Sequence, residues 1–224
     1  MDTNDRFAKV CSGGIEAEVQ RVRHDMKRSI EAVVELVNHD REPPWPIIAE
    51  YPDRFIRIYP GLNHAEIGSL MLTACLYNRA EIFSTSSETL AAFIAKNGFV
   101  LPGGLRFSEE GHVKIVPGCC GGLEDWREWL EVPHGRSAIW AGHDPSPELE
   151  YFEGGVRIWQ DQKAEGVDFI EISLKEMETL LRKVEQDLEG FLFRFGKWID
   201  DVSPELKEQL VDYFIENLNI RNKS

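Results

Sequence analysis

An α+β fold is what the sequence predicts: a central, mostly antiparallel sheet flanked by helices, with a long N-terminal helix and a two-helix C-terminal segment. Three observations lead there. Near both ends apolar residues recur every three or four positions, the period of a helix with one buried face. The middle instead holds short apolar runs of strand length, punctuated by Gly and Pro. The size and composition are those of a self-sufficient globular chain, with 224 residues, 42% hydrophobic and 29% charged. Such a chain can bury roughly 70% of its unfolded surface and needs no disulfide or metal to fold.

In chain order, Ile15, Val19, Val22, Met26, Ile30, Val33 and Val37 define one face of a helix about six turns long. Pro43-Pro44-Trp45-Pro46 stops it and reads as a linker. Arg54 to Tyr59 is a short strand. Asn63 and Glu66 form a capping box for a helix with Leu70, Met71, Ala74 and Cys75 inward. The Ser84–Ser87 cluster precedes a helix over Glu88 to Lys96, ended by Asn97-Gly98. Phe99-Val100-Leu101 and Leu105-Arg106-Phe107, separated by Pro102-Gly103-Gly104, read as a hairpin or two edge strands, and Val113 to Val116 as another strand. A tight turn, Pro117 to Gly122, leads into a short helix, Leu123 to Leu130. Strands are expected around Ser137–Trp140, Val156–Trp159 and Phe169–Ile172, with Gly142 to Pro147 as a loop. Ser173 and Glu176 cap a long helix whose seam is Leu174, Met177, Leu181, Val184, Leu188, Phe191, Phe195 and Trp198, with a spacing near 3.5 residues. Ser203-Pro204 starts a last helix with Leu206, Leu210, Val211, Phe214 and Leu218 inward. This divides the chain into a helical segment (1–42), an α+β core (47–172) and C-terminal helices (173–224).

Charge and cysteines bound the function. With 25 basic and 39 acidic residues the net charge is −14, which speaks against nucleic-acid backbone as a partner and for proteins, basic ones above all. Residues 144–224 hold 10 basic and 19 acidic groups, net −9, so the C-terminal third carries most of the excess. No basic region followed by an apolar core marks a secretory signal, and no apolar run reaches the roughly 20 residues of a bilayer span. Cys11, Cys75, Cys119 and Cys120 lack a disulfide framework's spacing. The expectation is a cytoplasmic protein with reduced thiols, no membrane partner and no cofactor.

Several residue sets are candidates for chemistry. A thiol at the Cys119-Cys120 turn, opening a helix, can be activated as a nucleophile, with His112, His134 or His143 as base and Asp144 as its orienting group. Set against this, Gly-rich turns before helices are common and no family-specific nucleophile signature is present. Metal binding by Cys119, Cys120 and His112 or His143 lacks the separated short-spaced pairs of structural zinc, so no metal is expected. Gly118-Cys119-Cys120-Gly121-Gly122 lacks the lysine and hydroxyl of a phosphate cradle, and Glu124 and Asp125 repel an anion. Trp126 and Trp129 share a helix face and read either as core or as an aromatic anchor for a protein. With the helix seam turned inward, Glu178, Glu185 and Glu189 are expected to form an acidic binding face.

Leu90-Ala91-Ala92-Phe93-Ile94-Ala95-Lys96-Asn97-Gly98 resembles the helix-then-Asn-Gly element of the SUKH superfamily of bacterial toxin-immunity proteins. The following order is also similar over residues 85–185: strands, a Trp-bearing helix, a strand at Gly155-Val156-Arg157-Ile158-Trp159, then a strand leading into a helix. The N-terminal helix and the Cys-Cys-Gly-Gly turn have no counterpart there. The resemblance implies an α+β scaffold without catalysis that binds and blocks a toxin. The reading is therefore an acidic protein-binding module whose partner is a basic protein such as a toxin. Its rivals are a hydrolase or transferase using the Cys119-Cys120 turn, and a structural oligomer, a homodimer for instance, assembled through the long helices.

Overall fold

The computed structural model describes residues 26–37, 42–48, 53–96, 98–135, 138–162 and 165–220. Helices and two antiparallel sheets make up these residues, an α+β architecture. No helix among them is long and apolar enough to cross a membrane.

The first correction lies at β1, Arg28–Glu35, a strand where the periodicity predicts a helix. Ile30, Ala32 and Val34 alternate into the core. Glu31 lies between Ile30 and Ala32 and pairs with Arg57 at 3.1 Å and Arg106 at 3.0 Å. Ile30 and Val33 fit a helical period while Ile30, Ala32 and Val34 fit a strand period, and β-branched side chains favour the strand once partners are present. Those partners are β2 (Phe55–Arg57) and β3 (Gly103–Glu109), both antiparallel to β1. The predicted helical positions before residue 26 lie outside the described residues. β4 (His112–Ile115) completes a sheet of order β2-β1-β3-β4.

β3 is the second correction. Gly103 and Gly104, expected to interrupt two edge strands, lie inside one strand with φ of +145° and +149°. A Cβ on Gly103 would lie 2.1 Å from the Val33 carbonyl oxygen, so only glycine lets β1 approach here. Phe99 to Leu101 is not part of a strand, and neither are residues 138–140. A strand that the sequence hid, β5 (Glu148–Phe152), pairs with β6 (Gly155–Trp159), which pairs with β7 (Phe169–Ser173) in a separate sheet.

Helix α1, His64–Tyr77, starts at the predicted Asn63–Glu66 capping box. Helix α2, Ser86–Ile94, starts at Thr85, whose side chain accepts the Glu88 amide. Residues Leu123–His134 form a 3-10 segment rather than an α-helix. Helix α3, Leu174–Val202, follows β7 directly. Ser173 accepts the Glu176 amide at 3.2 Å, but the Glu176 carboxylate turns to Arg28 at 3.2 Å instead of closing a capping box. A 3-10 turn, Pro204–Leu206, leads into α4, Lys207–Asn217.

The α3 seam is buried from Met177 to Trp198, with Leu174 half-buried. It is filled from within the chain. Phe195 lies 4.5 Å from Phe214 of α4, and Trp198 meets Trp45 edge-on at 5.4 Å. Trp45, in the proline segment predicted as a linker, is thus a core residue, and its Nε1 donates to Gly68 O at 2.9 Å. One hydrophobic cluster draws residues from all three predicted spans of the chain. A seam filled this way offers no surface for assembly between long helices.

Candidate functional site

Two loops meet beside the start of β3, where Gly103 N donates to Gly121 O at 3.1 Å. The first, running on from β4, is Pro117 to Gly122; the second is Ala141 to Pro145. They run antiparallel, with Gly118 N donating to Ala141 O at 2.8 Å and His143 N to Cys119 O at 2.9 Å. Cys119 and His143 are thereby directly opposite each other, as in a strand pair. Glycine permits the approach: a Cβ on Gly118 would lie 2.0 Å from Pro145 O, and one on Gly142 2.5 Å from Cys119 O.

Opposed residues in an antiparallel pair project to the same side, with Cβ atoms roughly 5 Å apart. Cys120 would face away in an extended strand, but its φ of +62° breaks that alternation. Cys119, Cys120 and His143 consequently bring their ligand atoms within 4.8 Å of one another, all on exposed side chains. Trp140, also exposed, stands edge-on to His143 at 4.7 Å and donates Nε1 to Cys120 O at 3.3 Å.

The Cys119 thiol is pushed above its ordinary value by desolvation, by the Cys120 hydrogen bond, and by the charges of Cys120 and Asp144; the His143 amide opposes the rise. Two thiols and an imidazole brought this close form a donor set of the kind that takes a soft cation. Cys75, by contrast, is buried in α1 and pushed up to about 12 by desolvation.

Of the other predicted base residues, His112 lies on β4 outside this cluster, and His134 ends the 3-10 segment. Asp144 is beside the cluster and acts on Cys119 through its charge. The predicted aromatic anchor is corrected. Trp126 and Trp129 do share a face, but it is the core face, exposed by only 1% and 3%. Trp126 Nε1 donates to Leu218 O at 2.8 Å, and Trp129 packs on Phe107 at 4.8 Å. Trp140 is the exposed tryptophan that the sequence did not single out.

The acidic face predicted on α3 is also corrected. Glu178, Glu185 and Glu189 are half-buried along the seam's flank. Glu185 pairs with Arg127 at 2.7 Å. The exposed positions of α3 include Lys175, Arg182, Lys183 and Lys197, so its outer surface is largely basic until Asp200 and Asp201. The exposed acids lie on α4 instead, where Glu208, Asp212 and Glu216 occupy one face on consecutive turns.

A cleft of about 230 Å³ between the sheets is lined by Arg28, Glu109, Lys114, Asp168, Phe169 and Glu171. Its charges largely satisfy one another, with Arg28–Glu109 at 3.2 Å and Lys114–Asp168 at 3.5 Å.

Glu124, just beyond the cysteine turn, accepts the Leu101 amide at 3.0 Å. Desolvation raises its pKa above 4.5, while the Leu101 and Glu124 amides pull it down and Asp125 adds to the rise. Protonation therefore favours the fold. That contribution is complete below the unfolded pKa and is lost as pH rises through the folded one. Glu124→Gln, which keeps an acceptor for Leu101, should melt higher than the parent at pH 7, with the difference shrinking toward about pH 4. An equal difference at both pH values would show that the carboxyl's charge is not the cause.

Compared with known proteins, the chain matches no protein-family model, no curated protein and no solved structure.

Proposed function

We propose that this protein is an acidic protein-binding module that docks a basic protein on the outer face of α4. The observation that carries this reading is the row formed by Glu208, Asp212 and Glu216. All three side chains are exposed, and none has an ion pair among the described residues. Like charges four residues apart weaken a helix by a few tenths of a kcal/mol per pair. A row kept in spite of that cost suits attraction of a cationic surface, within a chain of net charge −14. Asp201 and Glu205 extend the negative surface toward the end of α3.

A toxin-neutralising immunity protein is the specific form of this reading, and the likeness of residues 85–185 to the SUKH superfamily supports it. A basic toxin is then the partner, and binding alone is the activity.

The test is a pull-down from the native cell at low and at physiological salt, where the screening length is about 8 Å. The parent should retain a basic protein at low salt and lose much of it as salt rises. Glu208→Gln, Asp212→Asn and Glu216→Gln together should abolish that capture while leaving the melting temperature near the parent's. Recovery of the same partner by the triple variant, with unchanged salt dependence, would overturn the assignment of the binding face to α4.

A further inference from the structure

We propose that Cys119, Cys120 and His143 form a binding site for one thiophilic cation of the zinc class, held by two thiolates and an imidazole with a fourth position open to solvent. The inference is independent of the binding face on α4.

The first support is the distance between donors. All three ligand atoms lie within 4.8 Å of one another. A tetrahedral zinc with bonds of about 2.3 Å to sulfur and 2.0 Å to nitrogen separates its donors by roughly 3.5–3.8 Å. The donors need to draw together by at most about 1 Å to reach that spacing.

The second support is that this backbone is fixed in advance. The Cys119–His143 bridge sets two donors on the same side of paired strands. The left-handed conformation of Cys120, uncommon for a residue with a side chain, returns the third donor to that side. Gly118 and Gly142 admit the close approach of the two loops, which a Cβ at either position would block. Trp140 ties into the set, its indole perpendicular to the His143 ring and its N–H on the Cys120 carbonyl.

Donor chemistry selects the ion. Two sulfurs and one imidazole nitrogen suit zinc, or monovalent copper, and not magnesium or calcium, which take oxygen ligands. Exposure of all three side chains gives the ion free entry. Three protein ligands also leave one coordination position for water or for a donor from another molecule, unlike the closed four-ligand sites that serve structure alone.

The experiment uses the full chain carrying Cys11→Ser, so that Cys11 offers no competing thiol; Cys75 is buried and does not compete. After reduction by a phosphine, anaerobic titration with cobalt(II) should give a thiolate-to-cobalt charge-transfer band that saturates at one equivalent and is displaced by zinc. His112→Ala should leave the band unchanged. His143→Ala should weaken binding at least tenfold, and Cys119→Ser with Cys120→Ser should abolish the band. A measurement without site variants guards against loss of folding: saturating zinc should protect Cys119 and Cys120 from alkylation, read by peptide mass spectrometry. Absence of the band in the parent, its survival in the double cysteine variant, or alkylation unaffected by zinc would each overturn the proposal.

Discussion

Leu188→Ala should lower the unfolding free energy by about 2–5 kcal/mol, the range for a buried leucine whose surroundings relax only in part. Leu188 is fully buried in α3, and its neighbours along the seam, Val184 and Phe191, are as closed to solvent. The cavity therefore has no exposed wall through which to collapse. Leu181→Ala, one helical stretch earlier and equally buried, should cost a similar amount. Arg182→Ala, on the exposed side, should stay within about 0.5 kcal/mol of the parent. Urea denaturation at constant slope reads all three. A neutral result at both leucines would mean that α3 does not pack as described.

Gly103→Ala should cost about 3 kcal/mol or more, placing it among the severe single substitutions. Two independent penalties meet at this position. The φ of +145° is one that a side-chain-bearing residue rarely adopts, and the added Cβ would sit 2.1 Å from the Val33 carbonyl oxygen. That oxygen belongs to β1, so relief requires β1 to separate from β3 in the middle of the sheet. Gly98→Ala is the comparison, with a φ of +96° but open space where the Cβ would go. It should lose only the conformational penalty, about 1–2 kcal/mol. Thermal melts of the two variants separate strain from collision, and equal losses would show that the close approach is unimportant.

These two positions also mark how far the sequence could be read. The α3 seam was legible because its period is unbroken through Trp198 and its start is set by Ser173 next door. The Asn63–Glu66 box was legible for the same reason, since both partners lie within one turn. Gly103-Gly104 misled because a local rule takes paired glycines as a break. Their role is set by β1, far away in sequence, which must come close. β1 itself fits two periods, and only its pairing with β2 and β3 selects one. β5 was hidden because its edge position leaves much of Glu148–Phe152 exposed, so it lacks a clean apolar alternation.

The candidate site shows the same limit. The cysteines could be noticed, and the histidines listed, but nothing local selects His143 over His112. The selection comes from the Gly118–Ala141 and Cys119–His143 backbone pairing. Helical geometry correctly put Trp126 and Trp129 on one face; it could not say that Phe107 and the end of α4 already cover that face. Glu185 was misread as free because Arg127, its partner, sits on a different element.

The position of β1 has a consequence for how the chain is made. This strand precedes α3 by well over a hundred residues, yet its Arg28 pairs with Glu176, and Arg57 of its neighbour β2 pairs with Asp187. During translation β1 therefore leaves the ribosome long before α3 exists to cover it. Until then Ile30, Ala32 and Val34 lack the helix that buries them, and an uncovered strand of this kind is open to pairing with other chains.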